Sequence, residues 1–263
     1  MLEQRHAKLN RISRLLRWCL ERWVLLFCLL FALMNLLPFM APIFMQLGWT
    51  VPARVIYIIY SPLCHQMAQR SFFLFGEQAM YNIAELPVPI SGNTVSDMVA
   101  LRSFIGNPDM GWKVAWSDRM VYMYGAVLLV SIAYVLLRHR RPIRPLGLFF
   151  ATLLLIPLVV DGTSHMLSDM NYGLVEGFRY SNLWLADLTG HALPSWFYRG
   201  DALGSFNSWM RLISGLGFGF ACVWFAFPYL DRPISLTLAV LSSKTSQVQN
   251  RSPMQTFDEG STS

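Results

Sequence analysis

WVLLFCLLFALMNLLPFMAPIFMQL, residues 23–47, contains no charged side chain, and its reading decides the class of the whole chain. Crossing the hydrocarbon core of a bilayer takes about 20 apolar residues, so this stretch is long enough to span. Pro38 and Pro42 should kink its second half, because each removes a backbone donor. The basic residues before it give it the look of a secretory signal. It is too long for a signal core, however, and no small-residue cleavage pattern follows, so a retained helix is expected.

Three further stretches follow the same logic. Residues 120–137 are bounded by Arg119 and Arg138, and residues 212–230 begin just after Arg211 and end near Pro228 and Pro233. Residues 146–160 are short alone, but suffice if the helix continues through Asp161, Gly162, Thr163 and Ser164 to His165. The composition agrees: 54% of residues are hydrophobic and 14% charged, against roughly 25% charged in an average soluble domain. Cys19, Cys28, Cys64 and Cys222 are widely spaced and form no CxxC pair, which speaks against a disulfide framework or a zinc ribbon. The predicted fold is all-α: a polytopic membrane protein of four transmembrane helices, with a short re-entrant or interfacial helix near residues 55–60 and an aromatic-rich segment at its outer face.

Lys and Arg set the expected orientation. Arg5, Lys8, Arg11, Arg14, Arg17 and Arg22 precede the first span, and Arg138, Arg140, Arg141 and Arg144 fill the second connection. Both regions should face the cytoplasm. The connections 48–118 and 161–211, mixed in charge and net acidic respectively, should face outward, leaving both termini cytoplasmic in a multi-pass protein of the cell membrane. The chain thus divides into a basic amphipathic segment (1–22) suited to lie on an anionic leaflet, a four-helix membrane domain (23–230) and a tail (231–263). From Ser242 onward the tail has no apolar period and is expected to be disordered. The aromatic connection, with Trp184, Trp196 and Trp209 among others, should lie across the helix ends at the membrane interface. No nucleic-acid partner is expected.

Ionisable groups at membrane depth point to function. On a continuous helix Asp161 and His165 share a face one turn apart, with Asp169 a further turn along. Such a pair can share a metal, orient an imidazole as a base, or plug the helix ends by mutual pairing. A second cluster is Cys64-His65-Gln66, with Ser61 one turn earlier and Arg70 soon after. A third is Trp116-Ser117-Asp118-Arg119: Asp118 suits a helix start, whereas Arg119 opposes the helix dipole and needs a carboxylate, for which Asp161 is the candidate. Asn207 and Arg211 repeat the theme at the last span. Gly215 and Gly219 form a small-residue face that allows close helix approach.

Taken together, Cys64-His65-Gln66, Arg70-Ser71-Phe72, an Arg at the outer start of a helix, Asp161-Gly162 and Arg211 before a Gly-rich helix resemble the bacterial and archaeal membrane-protein family of unknown function two-zero-eight-five, over roughly residues 55–225. The family pattern Cys-x-Arg-Cys-x-Gly-x-Tyr is matched at Arg119 and Tyr124, while Ser117 and Met120 replace its cysteines. The resemblance implies no activity. With the sulfur ligands gone, a metal site would draw on His65, Asp161 and His165, supplemented by Asp118, Asp169 or Cys64, a set suited to zinc, manganese or iron. Ser61, Gln66, Arg70, Arg119, Asn207 and Arg211 would form the polar network around it.

Three functions fit these residues. One is a membrane protein with a metal-binding polar site at its outer face. Another is a non-catalytic accessory or assembly subunit, which would meet another membrane subunit through the aromatic segment or the Gly215–Gly219 face. The third is a membrane-embedded metal-dependent hydrolase. A transporter is disfavoured by the lack of an inverted repeat and of charges near helix midpoints.

Overall fold

The computed structural model describes residues 2–138, 140 and 142–251. Helix α1 (Leu2–Glu21) is followed at once by α2 (Trp23–Gln46), in which Pro38 and Pro42 are both accommodated. A sharp turn at Gly48 leads to α3 (Thr50–Tyr60), the short apolar helix expected near residue 55. Strand β1 (Ser71–Leu74), helix α4 (Thr94–Ser103), strand β2 (Gly106–Asn107) and strand β3 (Gly111–Ser117) come next. Strand β3 passes without a break into α5 (Asp118–Arg138). Helix α6 (Leu148–Glu176) is followed by the short helices α7 (Phe178–Ser181), α8 (Leu183–Leu188) and α9 (Ser195–Tyr198), and α10 (Phe206–Arg251) closes the described chain.

Among the described residues four helices are long and apolar enough to cross a membrane: Trp23–Gln46, Asp118–Arg138, Leu148–Glu176 and Phe206–Ser243. The fold is mostly helical, as the apolar runs require. Helix α10 packs on both α5 and α6, and α2 packs on α5. The Gly face of α10 makes this close approach possible. A Cβ at Gly219 would stand 2.5 Å from the Cβ of Ala126, and one at Gly215 would stand 2.8 Å from that of Tyr122. The face expected to meet another subunit is therefore filled by α5 of the same chain. At the opposite end of the bundle from the sheet, Asp231 accepts from Trp23 Nε1 (2.9 Å) and Tyr134 Oη (2.6 Å) and pairs with Arg138 (3.2 Å), tying α2, α5 and α10 together.

Two features depart from the sequence reading. The connection between α3 and α5 carries a small antiparallel sheet of order β1-β3-β2. Its tight turn needs Gly111, whose φ of 75° favours glycine and where a Cβ would meet the carbonyl of Leu74 at 2.2 Å. Helix α10 also continues to Arg251, where loss of order was expected from Ser242. Lys244, Gln247, Gln249 and Arg251 extend a helix at small cost once it is nucleated upstream. Residues 252–263 of the expected disordered tail, and Arg141 of the basic second connection, lie outside the described residues.

The sheet is seated by buried contacts. Trp116 is fully buried, with its ring 5.2 Å from that of Tyr60 and 5.0 Å from that of Tyr124. Strand β3 thereby fixes both α3 and the start of α5, which places Ser117, Asp118 and Arg119 at the sheet end of the bundle.

Candidate functional site

Past Tyr60 and Pro62 the chain leaves helical geometry, and Gln66 adopts a left-handed backbone with φ 53°. This irregularity separates the roles of three neighbours. Cys64 is buried; its sulfur receives the backbone N–H groups of Gln66 and Ser117, each at 3.4 Å, and lies 3.3 Å from Ser117 Oγ. Gln66 donates from Nε2 to the carbonyls of Tyr57 (3.0 Å) and Ala115 (2.9 Å), so it stitches α3 to β3. His65 between them is exposed.

Next along the chain, Arg70 carries the first guanidinium of a branched ion-pair network. Its Nη1 and Nη2 meet both oxygens of Asp169 (2.9 and 3.2 Å), and its Nε meets Asp201 at 2.8 Å. Arg211 joins the other oxygen of Asp201 at 2.8 Å and donates from Nε to Asp118 at 2.6 Å. Asp161 takes Arg119 on one oxygen (2.7 Å) and Arg179 on the other (2.6 Å). Arg211 and Asp118 are 1% and 0% exposed, so their charges are admissible only because each is paired. Burial alone would raise the pKa of Asp201, but Arg70 and Arg211 overcome that effect and hold it well below the usual carboxylate range.

Helix α6 does place Asp161 and His165 one turn apart and both buried. Nevertheless the imidazole Nε2 is 3.8 Å from the nearer Asp161 oxygen, too far for a hydrogen bond. Arg179 Nη2 comes between them, 3.3 Å from His165 Nε2. The carboxylate therefore orients arginines and not the imidazole, and an Asp-His general-base pair is not formed. His165 Nδ1 is buried with no hydrogen-bond partner among the described residues.

The network backs a cavity of about 370 Å³. Cys64, His65, Arg70, Asp118, Arg119, His165, Asp169 and Arg211 all touch it, joined by the thioethers of Met67, Met98, Met120, Met166 and Met170. Met166 and Met170 are 54% and 71% exposed, so the cavity reaches the protein surface along α6. Gly162 lets Arg119 lie flat against α6, since a Cβ there would stand 2.9 Å from Nη1. Asp161 sits behind Arg119 in this arrangement.

Several expected roles do not assemble. Among the described residues no group of three or more His, Cys, Asp or Glu side chains is placed to hold a metal. The expected ligands His65, Asp161, His165, Asp118, Asp169 and Cys64 are otherwise engaged or apart: the three carboxylates are taken by arginines, His165 Nε2 meets Arg179, Cys64 is bonded to backbone and Ser117, and His65 is exposed. Ser61 makes no hydrogen bond to His65 among the described residues; its carbonyl accepts from Arg102 at 2.9 Å instead. Asn207 is fully buried and donates to the carbonyls of Arg179 (2.6 Å) and Gly200 (2.9 Å), fixing the aromatic connection rather than the cavity.

Sequence reading leaves out Arg179 and Asp201, although each holds two arms of the network. The available signal was an ionisable residue embedded among aromatics, as in Phe178-Arg179-Tyr180 and Tyr198-Arg199-Gly200-Asp201, where a charge needs a partner. That signal does not separate Arg179 from Arg199 or Asp201 from Asp187.

No protein-family model matches the chain. Over 164 residues, 60% of this chain and 80% of the relative, the sequence is 26% identical to "Uncharacterized protein MJ1492" of Methanocaldococcus jannaschii. No solved structure matches. The four apolar helices are compatible with a multi-pass membrane protein.

Proposed function

We propose that this membrane protein binds a small amphipathic molecule in the cavity at the sheet end of its bundle, that this end faces outward, and that both termini are cytoplasmic. The observation that carries the reading is the cavity itself, with paired arginines and carboxylates behind it and five methionines lining it, of which Met166 and Met170 reach the surface on α6. Its volume lies within the range of about 300–1,000 Å³ usual for small-molecule sites, and thioether side chains adapt to varied apolar shapes. The basic residues before α2 and between α5 and α6 support the orientation. The residues Cys64-His65-Gln66, Arg70-Ser71-Phe72, Arg119 and Asp161-Gly162 support kinship with the family of unknown function two-zero-eight-five.

The test is extraction of small molecules that co-purify with the full-length protein, followed by mass spectrometry, on wild type and on Met98→Trp. The indole should fill the cavity without touching an ion pair. A compound enriched with wild type and depleted from the variant is expected. Identical extracts from two equally folded proteins would overturn the reading.

A further inference from the structure

We infer that the cavity takes an amphiphile with an oxyanion head, a carboxylate or a phosphate, held by Arg119 and His165. The inference rests on the binding reading above and specifies its ligand. A guanidinium can only donate hydrogen bonds, so Arg179 Nη2 at 3.3 Å makes His165 Nε2 an acceptor. A ring accepting at Nε2 is neutral and carries its proton on Nδ1. That Nδ1 is buried and unpartnered among the described residues, in a ring that is 4% exposed and lines the cavity. Leaving a buried donor unpaired costs free energy, so a ligand that completes this site offers an acceptor.

Arg119 leads to the same requirement. Only its Nη2 is engaged with Asp161, while the side chain remains 20% exposed and lines the cavity. Asp161 is shared with Arg179, so two guanidinium groups face one carboxylate there. On the other branch, Arg70 and Arg211 share three carboxylates: Asp118, Asp169 and Asp201. The network is neutral as a whole, but its positive surplus lies at Arg119 and Arg179, beside His165.

Cavity-lining carboxylates leave no free oxygen to compete. Asp118 accepts from Arg211 Nε and from the backbone N–H of Arg119, and Asp169 has both oxygens on Arg70. The unfilled capacity is donor capacity with a positive bias, beside an apolar methionine wall. An oxygen-bearing anionic head with an apolar chain meets both. A cation would meet the wrong charge, and a neutral amphiphile would leave the surplus uncompensated.

Full-length protein in a non-ionic detergent would be titrated with oleate, lysophosphatidate, monoolein as the neutral counterpart, and inorganic phosphate, with binding read by native mass spectrometry. One of the two anionic amphiphiles should bind at least about tenfold more tightly than monoolein, the difference expected of a charge-assisted hydrogen bond. Phosphate alone should compete only weakly. Arg119→Gln, in which Asp161 keeps Arg179, should lower affinity for the anionic amphiphile about tenfold and leave monoolein unchanged. If that variant does not fold, His165→Phe offers the same comparison, because it removes the Nδ1 donor. Monoolein binding as tightly as the anions, with Met98→Trp abolishing both, would overturn the oxyanion assignment and leave the cavity reading intact. Full competition by inorganic phosphate would reassign the head-group site to free phosphate and overturn the amphiphile. Absence of any binding, or binding that Met98→Trp does not touch, would overturn both.

Discussion

Arg211 Nε lies 2.6 Å from Asp118 Oδ2, with the two side chains 1% and 0% exposed, and this contact joins the start of α5 to the start of α10. Removing one member strands the other in a water-poor setting. Asp118→Asn should therefore destabilise the protein by about 3–5 kcal/mol, the usual cost of breaking a buried pair. Thermal unfolding in detergent reads this directly, and a midpoint within a degree of wild type would show that water reaches Arg211.

Asp161→Asn should cost a comparable amount, about 3–5 kcal/mol, because Arg119 and Arg179 both depend on that carboxylate. His165→Gln should cost far less, about 1 kcal/mol or under, since among the described residues the ring has one hydrogen-bond contact, to Arg179, and no partner at Nδ1. A ranking with His165→Gln as the more damaging change would assign the imidazole a structural role that its contacts do not reveal.

Gly219→Leu should separate α10 from α5. The first added atom already stands 2.6 Å from the backbone of Ala126 and Val127, which cannot rotate away. Overpacking of this kind costs about 1–3 kcal/mol, and the loss should appear as a lower yield of monodisperse protein and a lower melting temperature. Gly173→Ala, where nothing lies within 4 Å, tests backbone strain alone because φ is 76° there.

Lys113 sets a pH dependence. Its Nζ is buried and donates to the carbonyls of Gln66 (2.7 Å) and Arg102 (2.6 Å), bonds that a neutral amine can also make. Burial pushes its pKa down to about 7. Between that value and the ordinary lysine value near 10.4 the unfolded chain holds a proton that the folded chain does not, so stability rises with pH across this window. Below about pH 7 both states are protonated and the burial penalty is fully present. Unfolding measured from pH 6 to 10 should show this rise, and Lys113→Met should flatten it; equal slopes in the two proteins would contradict the assignment.

Topology can be checked without reference to binding. In intact cells a membrane-impermeant thiol reagent should label Ser91→Cys and Leu203→Cys, and should label Arg140→Cys only after lysis. The reverse pattern would move the cavity to the cytoplasmic side.

The four spans were legible because twenty uncharged apolar residues have few other solvents, and the Arg119–Asp161 pair was legible because a cation at a helix start needs a carboxylate. The sheet was not. Strand β3, Gly-Trp-Lys-Val-Ala-Trp-Ser, is buried on both faces and so lacks the alternation that marks a strand. Nor does spacing reveal where Arg179 points: a one-turn Asp161–His165 register suggests a shared ligand, and only the fold shows a guanidinium from a later segment entering between them.

The network also fixes an order of events. Arg70 and Asp118 leave the ribosome well before their partners, since Arg70 lies 99 residues from Asp169 and 131 from Asp201, and Asp118 lies 93 from Arg211. Three of the four spans can be inserted while Asp118 is still uncompensated, so the start of α5 must stay at the wet edge of the bilayer until α10 arrives. Delivery of the last span is then the step that commits the protein to its final form, and a chain halted before Arg211 would carry an open charge that marks it as unfinished.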